Sequence, residues 1–444
     1  MKKSVLRRLT GGLALCLALS ALSGCSTIGE LIGKNKGTTT EVSNVNPTST
    51  ENDTSQDGTS APANHEEFDP SSQRVKDKTR EIEKYIDNYY YFPKDPEKQE
   101  ESYFDGIMGG LGDKYSVYYT PEEYEKLALS NQGQFYGIGV VITKKDGKVV
   151  VTDVPEGGPS YESGIEKDDV LVKADGVEIT EDMDLEQVVA ITRGKEGTVV
   201  NVEFYRPSTG ETTSYDITRG PVDLNSVYSE IFDDTIGYIY VTQFVDNTDE
   251  QFVKHLNELM DKGITGLIID LRNNPGGMLT SVSAMCDYLL DDNASLGNGE
   301  DSGLIVYTED KNGNRVDEIK CTDGHSVDLP IVVLVNQDTA SAAELMTSCL
   351  KDYGKAKIVG TTTYGKGIVQ SLIKLSDGSA IKITIAKYFS ASGYGIHEVG
   401  VVPDVEVENP EKLEDVSDDA QFQKAIELLG GKIVEPETTE EDEE

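Results

Sequence analysis

Residues 339–370, TASAAELMTSCLKDYGKAKIVGTTTYGKGIVQ, decide how this chain of 444 residues is read. Ser341 stands among small residues at the head of a helical pattern, just after a buried-looking strand, LPIVVLVN. With Glu344 it spells the Ser-x-x-Glu of a capping box, which is one complete account of it. The same geometry has a chemical use. Backbone N–H groups at a helix start are unpaired and lie at the positive end of the macrodipole, where a developing oxyanion is stabilised. Ala340, Ala342 and Ala343 leave room there for a substrate backbone.

A serine hydroxyl also needs a base. The chain has four histidines: His65 in a polar tract, His255 in an amphipathic helical pattern, His325 in a polar loop and His397 after SGYGI. No Gly-x-Ser-x-Gly elbow surrounds any serine, so a Ser-His-Asp triad has little support. Lysine is the other candidate. An ordinary amine, with a pKa of roughly 10.4, is protonated at neutral pH, so a lysine base must be desolvated and kept away from carboxylates. Lys366 lies between glycines, flanked by Tyr364, Ile368 and Val369, and no acid occurs across residues 358–375. That is unusual in a chain with 80 acidic and 40 basic residues. In an extended segment Gln370 shares the face of Lys366 and its carbonyl can orient the amine. A plain lysine in a glycine turn is the alternative. The third element is DLRNNPGG, residues 270–277, whose glycine pair lets backbone N–H groups approach a ligand. Gly276 or Gly277 is placed to act as an oxyanion donor beside Ala342.

The formal net charge of −40 argues against nucleic acid and anionic lipid as partners. The first 25 residues have a basic start, an apolar run and the sequence LSGC at 22–25, which resembles a lipobox. A secretory signal over 1–24 is expected, with Cys25 lipidated and the protein exported and tethered to the membrane. Residues 34–73 are rich in Thr, Ser, Asn and Pro and read as a flexible tether. EPETTEEDEE reads as a solvated acidic tail. Cys286, Cys321 and Cys349 show no metal-ligand spacing and are odd in number, so neither a metal site nor a disulfide framework is expected. No cofactor is called for. A helical region is expected over 74–123 and short strands with one helix over 124–213. From 214 to 410 strands and helices alternate, which points to an α/β architecture with a largely parallel sheet and an antiparallel addition after Gly367.

LRNNPGG, VNQDTASAAEL and VGTTTYGKGIVQ occur in that order, followed by LSDGSAIKITIAKYFSASG and GVVPD. Together they resemble the carboxy-terminal processing peptidases, a bacterial and plastid family of serine proteases with a Ser-Lys dyad, over about residues 74–404. The resemblance implies an α/β protease core of the Clp protease/crotonase type, with an inserted PDZ domain and an N-terminal helical region. The expected partition is 1–24 signal peptide, 25–73 lipid-anchored linker, 74–123 helical region, 124–213 PDZ domain, 214–410 peptidase core, and 411–444 C-terminal helix and acidic tail. It further implies Ser341 as nucleophile, Lys366 as base and Gln370 as the residue orienting it. Ala342 with Gly276 or Gly277 would form the oxyanion hole. Phe135, Tyr136, Gly137, Ile138 and Gly139 align with the loop that takes a C-terminal carboxylate through backbone N–H groups. Substrates would be proteins with free, apolar C-termini, and a homodimer is plausible. Gln337 and Asp338 stand where small residues are common, and His397 where glutamine is frequent.

Two other readings are weaker. Ser348-Cys349-Leu350-Lys351 spells the S-x-x-K of penicillin-recognising enzymes, but Ser348 falls inside the helical pattern and neither S-D-N nor K-T-G occurs. An inert PDZ scaffold holding partner proteins at the membrane has no need of Ser341, Lys366 and Gln370.

Overall fold

Val-, Ile- and Leu-rich runs such as GLIID and IVVLV are buried at every position, as strands covered on both faces must be. They lie in a computed structural model that describes residues 68–145, 147–296, 302–410 and 416–432. The expected signal, the lipobox Cys25, most of the tether and the acidic tail lie outside the described residues. Among those described, no helix is long and apolar enough to cross a membrane.

The chain divides into two compact units, at residues 103/104. In the first, helix Gln73–Tyr89 starts at Ser72, whose Oγ accepts the Val75 N–H, and none of its residues is buried. The second unit is built on a six-stranded sheet in the order Val227–Phe232, Ile236–Val241, Gly266–Asp270, Ile331–Val335, Ala356–Gly360, Val405–Glu406. Only the first pair is antiparallel; the rest run parallel. The two-residue period sorts the strand side chains. Ile239, Leu267, Ile269, Val333 and Ile358 face helices Thr248–Asp261, Leu279–Leu289 and Ala342–Asp352. Tyr238, Ile268, Val332 and Leu334 face helix Ala420–Leu428. Each fully buried aliphatic side chain contributes about 1.5–3 kcal/mol. The expected antiparallel addition is a second sheet, in which strand Ala380–Ser390 pairs with Val117–Tyr119, Ile368–Lys374 and Leu304–Glu309.

A separate sheet, in the order Val141–Lys145, Lys148–Asp153, Val170–Ala174, Val199–Arg206, Glu211–Thr218, packs its own core against helix Leu185–Thr192. It joins the rest through a two-stranded stalk, Gln134–Gly137 paired with Gly220–Asp223. Two expected boundaries cut continuous elements. Helix Pro121–Asn131 runs through 123/124, and strand Glu211–Thr218 runs through 213/214 because its whole length is paired with Val199–Arg206.

The C-terminal helix is tied to the sheet by charge. Arg272 grips Asp270 (2.6 and 2.9 Å) and Asp419 (2.8 Å to both oxygens), while Tyr238 donates to Asp270 at 2.7 Å. All of these groups are buried, and removing one partner of a buried pair is costly. Asp419→Ala is expected to lower stability by about 3 kcal/mol, read as a lower urea midpoint at unchanged slope. An unchanged midpoint would show that the network does not secure the helix.

Candidate active site

Three loops at the ends of adjacent parallel strands converge. After Gly266–Asp270, Asn274 shapes the glycine turn. Its Nδ2 donates to Val241 O at 2.9 Å, its Oδ1 accepts Gly276 N–H at 2.8 Å, and its backbone carbonyl accepts Ala340 N–H at 2.9 Å. Gly276 and Gly277 have φ of +97° and +142°. A Cβ at Gly277 would stand 1.9 Å from Phe244 O, and one at Gly276 would stand 2.7 Å from Ser341 Cβ. Only glycine fits, and its backbone therefore lies against the serine. After Ile331–Val335, Thr339 Oγ1 donates to Leu271 O at 2.8 Å, and Thr339 O accepts Tyr364 N–H from the third loop at 3.0 Å.

Ser341 itself has φ +55° and ψ −119°, a conformation that costs an L-residue about 1–3 kcal/mol and persists only where its surroundings impose it. Helix Ala342–Asp352 begins at the next residue. Among the described residues no hydrogen bond takes the N–H of Ala342 or of Gly277, whereas that of Gly276 is held by Asn274. Of the two glycines, Gly277 is thus the free donor. Of the expected pair, Gly276 or Gly277, Gly276 thus has its N–H engaged by Asn274.

Glu344 is more than a cap. Its carboxylate is completely buried and accepts four donors: Ser341 N–H (2.8 Å), Lys366 N–H (2.8 Å), Gly365 N–H (2.6 Å) and Thr363 Oγ1 (2.6 Å). It joins the serine loop to the lysine loop. The capping pattern is a sufficient explanation in the sequence and conceals this bridge. The sign available there is a glutamate three residues after a candidate nucleophile.

The Lys366 amine lies over the Tyr115 ring, 4.8 Å from its centroid. Burial pushes its pKa down and the Lys382 charge adds to this; Tyr364 and Glu344 act in the opposite sense. Lys114 donates to Tyr364 OH at 2.8 Å and holds that phenol below its usual range. No sequence pattern marks Lys114, Tyr115 or Lys382, since they come from remote segments. Gln370 Nε2 donates to Ile368 O at 3.4 Å. Among the described residues no hydrogen bond joins the Lys366 amine to Ser341 Oγ or to Gln370. His397 packs its backbone on Gly367, His255 bonds Ser229, and His325 stacks on Tyr288; none is hydrogen-bonded to Ser341. Ser348 Oγ donates to Leu345 O inside its helix and is buried, which removes the S-x-x-K reading. Asp338 is exposed and accepts from the Gln337 amide.

In the smaller domain Phe135, Tyr136 and Gly137 lie in the stalk strand, and Ile138 and Gly139 form the loop beyond it. Gly139 has φ +70°, and a Cβ there would stand 2.6 Å from Pro159. The Arg193 guanidinium lies 3.9 Å over the Phe135 ring, with its Nε buried and without a hydrogen-bond partner among the described residues.

The sequence is similar to known families and proteins. A sequence model of peptidase family S41 matches residues 235–407, and one of the PDZ domain matches residues 137–217. The chain is 33% identical over 335 residues to the carboxy-terminal processing protease CtpA of Bacillus subtilis (strain 168), covering 76% of this chain and 69% of that one. It is 33% identical over 352 residues to the carboxyl-terminal-processing protease of a Picosynechococcus strain, covering 76% and 81%. Among solved structures, the photosystem II D1 C-terminal processing protease aligns over 78% of this chain and 91% of its own, at 28% identity and a TM-score of 0.45.

Two outcomes are expected. With a neutral Lys366 amine as base, kcat/KM is expected to rise with pH along a limb lying below the ordinary lysine value. Lys382→Gln removes a like charge, favours the ammonium, and should move that limb to higher pH. Glu344→Gln offers one acceptor oxygen where the carboxylate has two, and should slow turnover about 100-fold through misplaced loops. Steady-state kinetics across pH on an unfolded protein substrate checks both.

Proposed function

The chain belongs to the carboxy-terminal processing proteases of peptidase family S41, serine peptidases with a Clp protease-like core and an inserted PDZ domain, and from that premise we propose that Ser341 and Lys366 form its dyad. The observation that carries the reading is the Glu344 carboxylate, which binds the peptide N–H of both residues. Ser341 Oγ attacks the scissile carbonyl, and the neutral Lys366 amine takes its proton and returns it to the leaving amine. The Ala342 and Gly277 N–H groups receive the oxyanion. Water then attacks the acyl-enzyme by the same proton route in reverse. For this the lysine must leave the ring face of Tyr115, which its flexible four-carbon stem permits. Gln370 is assigned the role of holding the amine once it has turned.

The loop at Ile138 and Gly139 is assigned the substrate's C-terminal carboxylate; both N–H groups lack a partner among the described residues. Strand Val141–Lys145 is the sheet edge to which an extended peptide would add. Residues 1–24 are assigned as a signal and Cys25 as a lipidation site, which puts the protease outside the cytoplasm at the membrane face. The support is the LSGC sequence and the polar tether that follows. A second copy of the chain as partner rests on the resemblance alone.

The test uses the full chain in detergent with an unfolded protein ending in apolar residues, its C-terminus free or amidated. The parent is expected to cleave and to prefer the free carboxylate, while Ser341→Ala and Lys366→Ala turn over at least about 1,000-fold more slowly. Equal cleavage by Lys366→Ala would overturn the dyad. Equal use of both substrates would overturn the carboxylate role of the loop.

A further inference from the structure

The dyad reading leaves one buried group unused. Tyr388 comes from strand Ala380–Ser390 and is 4% exposed, with its ring packed in the main core. Its hydroxyl lies 2.8 Å from Ser341 O and 2.7 Å from Lys366 O. Its backbone N–H also donates to Gly367 O at 3.1 Å. From these contacts we propose that Tyr388 is a positioning residue for the reaction, its hydroxyl fixing the nucleophile and the base relative to each other. This rests on the assignment of Ser341 and Lys366 as the dyad.

The arrangement is two-sided. Glu344 accepts the N–H of Ser341 and of Lys366; Tyr388 approaches the C=O of the same two residues. Each dyad residue is thus held at both ends of its backbone by the same pair of buried side chains. Chain connectivity does not require this, since the two residues, at positions 341 and 366, lie in separate loops.

The strained backbone of Ser341 gives the hydroxyl its task. At φ +55° the residue relaxes toward an ordinary helix start unless both its peptide groups are constrained. Ser341 O also accepts Glu344 N–H and Leu345 N–H, at 2.9 and 3.0 Å. Loss of the phenol therefore leaves that carbonyl partnered within the helix, and the fold is expected to survive. What is lost is the link to Lys366. Burial and the nearby Glu344 charge push the Tyr388 pKa well up, so the phenol stays protonated and remains a donor. A phenol has one proton and here faces two carbonyls, so the bond is shared between them.

Tyr388→Phe in the full chain removes only the oxygen. Its turnover is expected to slow about 10- to 100-fold, with KM changed no more than about 2-fold and Tm within a few degrees of the parent. Labelling of Ser341 by a fluorophosphonate should slow by a similar factor while reaching the same final stoichiometry. Tyr388→p-aminophenylalanine, introduced by nonsense suppression, supplies two N–H donors for the two carbonyls and should recover most of the rate. Parental turnover in Tyr388→Phe overturns the proposal. So does a loss in a folded Tyr388→Phe protein that is matched by a lower labelling stoichiometry, which marks a structural role. Should Tyr388→Phe fail to fold, the p-aminophenylalanine variant decides alone: a folded protein with parental Tm that is as inactive as Lys366→Ala overturns it. Ser341→Ala and Lys366→Ala run beside these variants. If Lys366→Ala keeps its activity, the dyad reading has failed, which is distinguishable from a failure of the Tyr388 proposal alone.

Discussion

A fully buried carboxylate with four donors is the constraint on which the site depends. Burying such a group is costly unless every oxygen is satisfied, and Glu344 meets that condition only with the serine loop, the lysine loop and the threonine before it all in place. A carboxylate so close would be expected to hold a lysine in its charged form. Here it accepts backbone N–H groups and a hydroxyl, so the Lys366 amine stays unpaired with an acid. Burial beside Lys382 then outweighs the pull of the Glu344 charge, and the amine is held below its ordinary value. One side chain thereby joins the two loops without pairing with the Lys366 amine.

The parallel sheet explains where this happens. Parallel strands deliver their C-terminal ends, and the loops that follow them, to one edge of the sheet. The Gly-Gly turn, the Ser341 helix start and the Lys366 loop all follow adjacent strands at that edge. The glycine turn approaches the serine so closely that no side chain fits between them. The Arg272 network at the foot of the same turn anchors the C-terminal helix beneath the sheet. Catalytic geometry and core stability therefore meet within a few residues of LRNN.

The PDZ domain is an insertion with its own core, joined by the paired strands Gln134–Gly137 and Gly220–Asp223. Phe135 belongs to that stalk and carries the Arg193 guanidinium on its ring. The loop assigned to the substrate carboxylate and the connection to the peptidase core are consecutive in the chain. Occupation of the loop and the setting of the stalk thus involve the same few residues.

The sequence by itself determined the architecture and the peptidase family. Apolar strands alternating with amphipathic helices reveal the parallel sheet, since periodicity reports burial directly. Ser341, Lys366 and the glycine pair were legible as candidates because each occupies a local pattern with its own chemical meaning. Element boundaries at 123/124 and 213/214 were not legible, because strand and helix ends follow from pairing partners. Only the tertiary structure decided which glycine keeps a free N–H, that the Lys366 amine lies on Tyr115, and that Glu344 and Tyr388 hold serine and lysine together. Apart from the local bond between Asn274 and Gly276, these contacts join residues of separate segments. Neither composition nor spacing encodes them, because they come into being only when three parallel strands deliver their loops to one edge and the second sheet, with the segment leading into it, brings Tyr388 and Tyr115 against them.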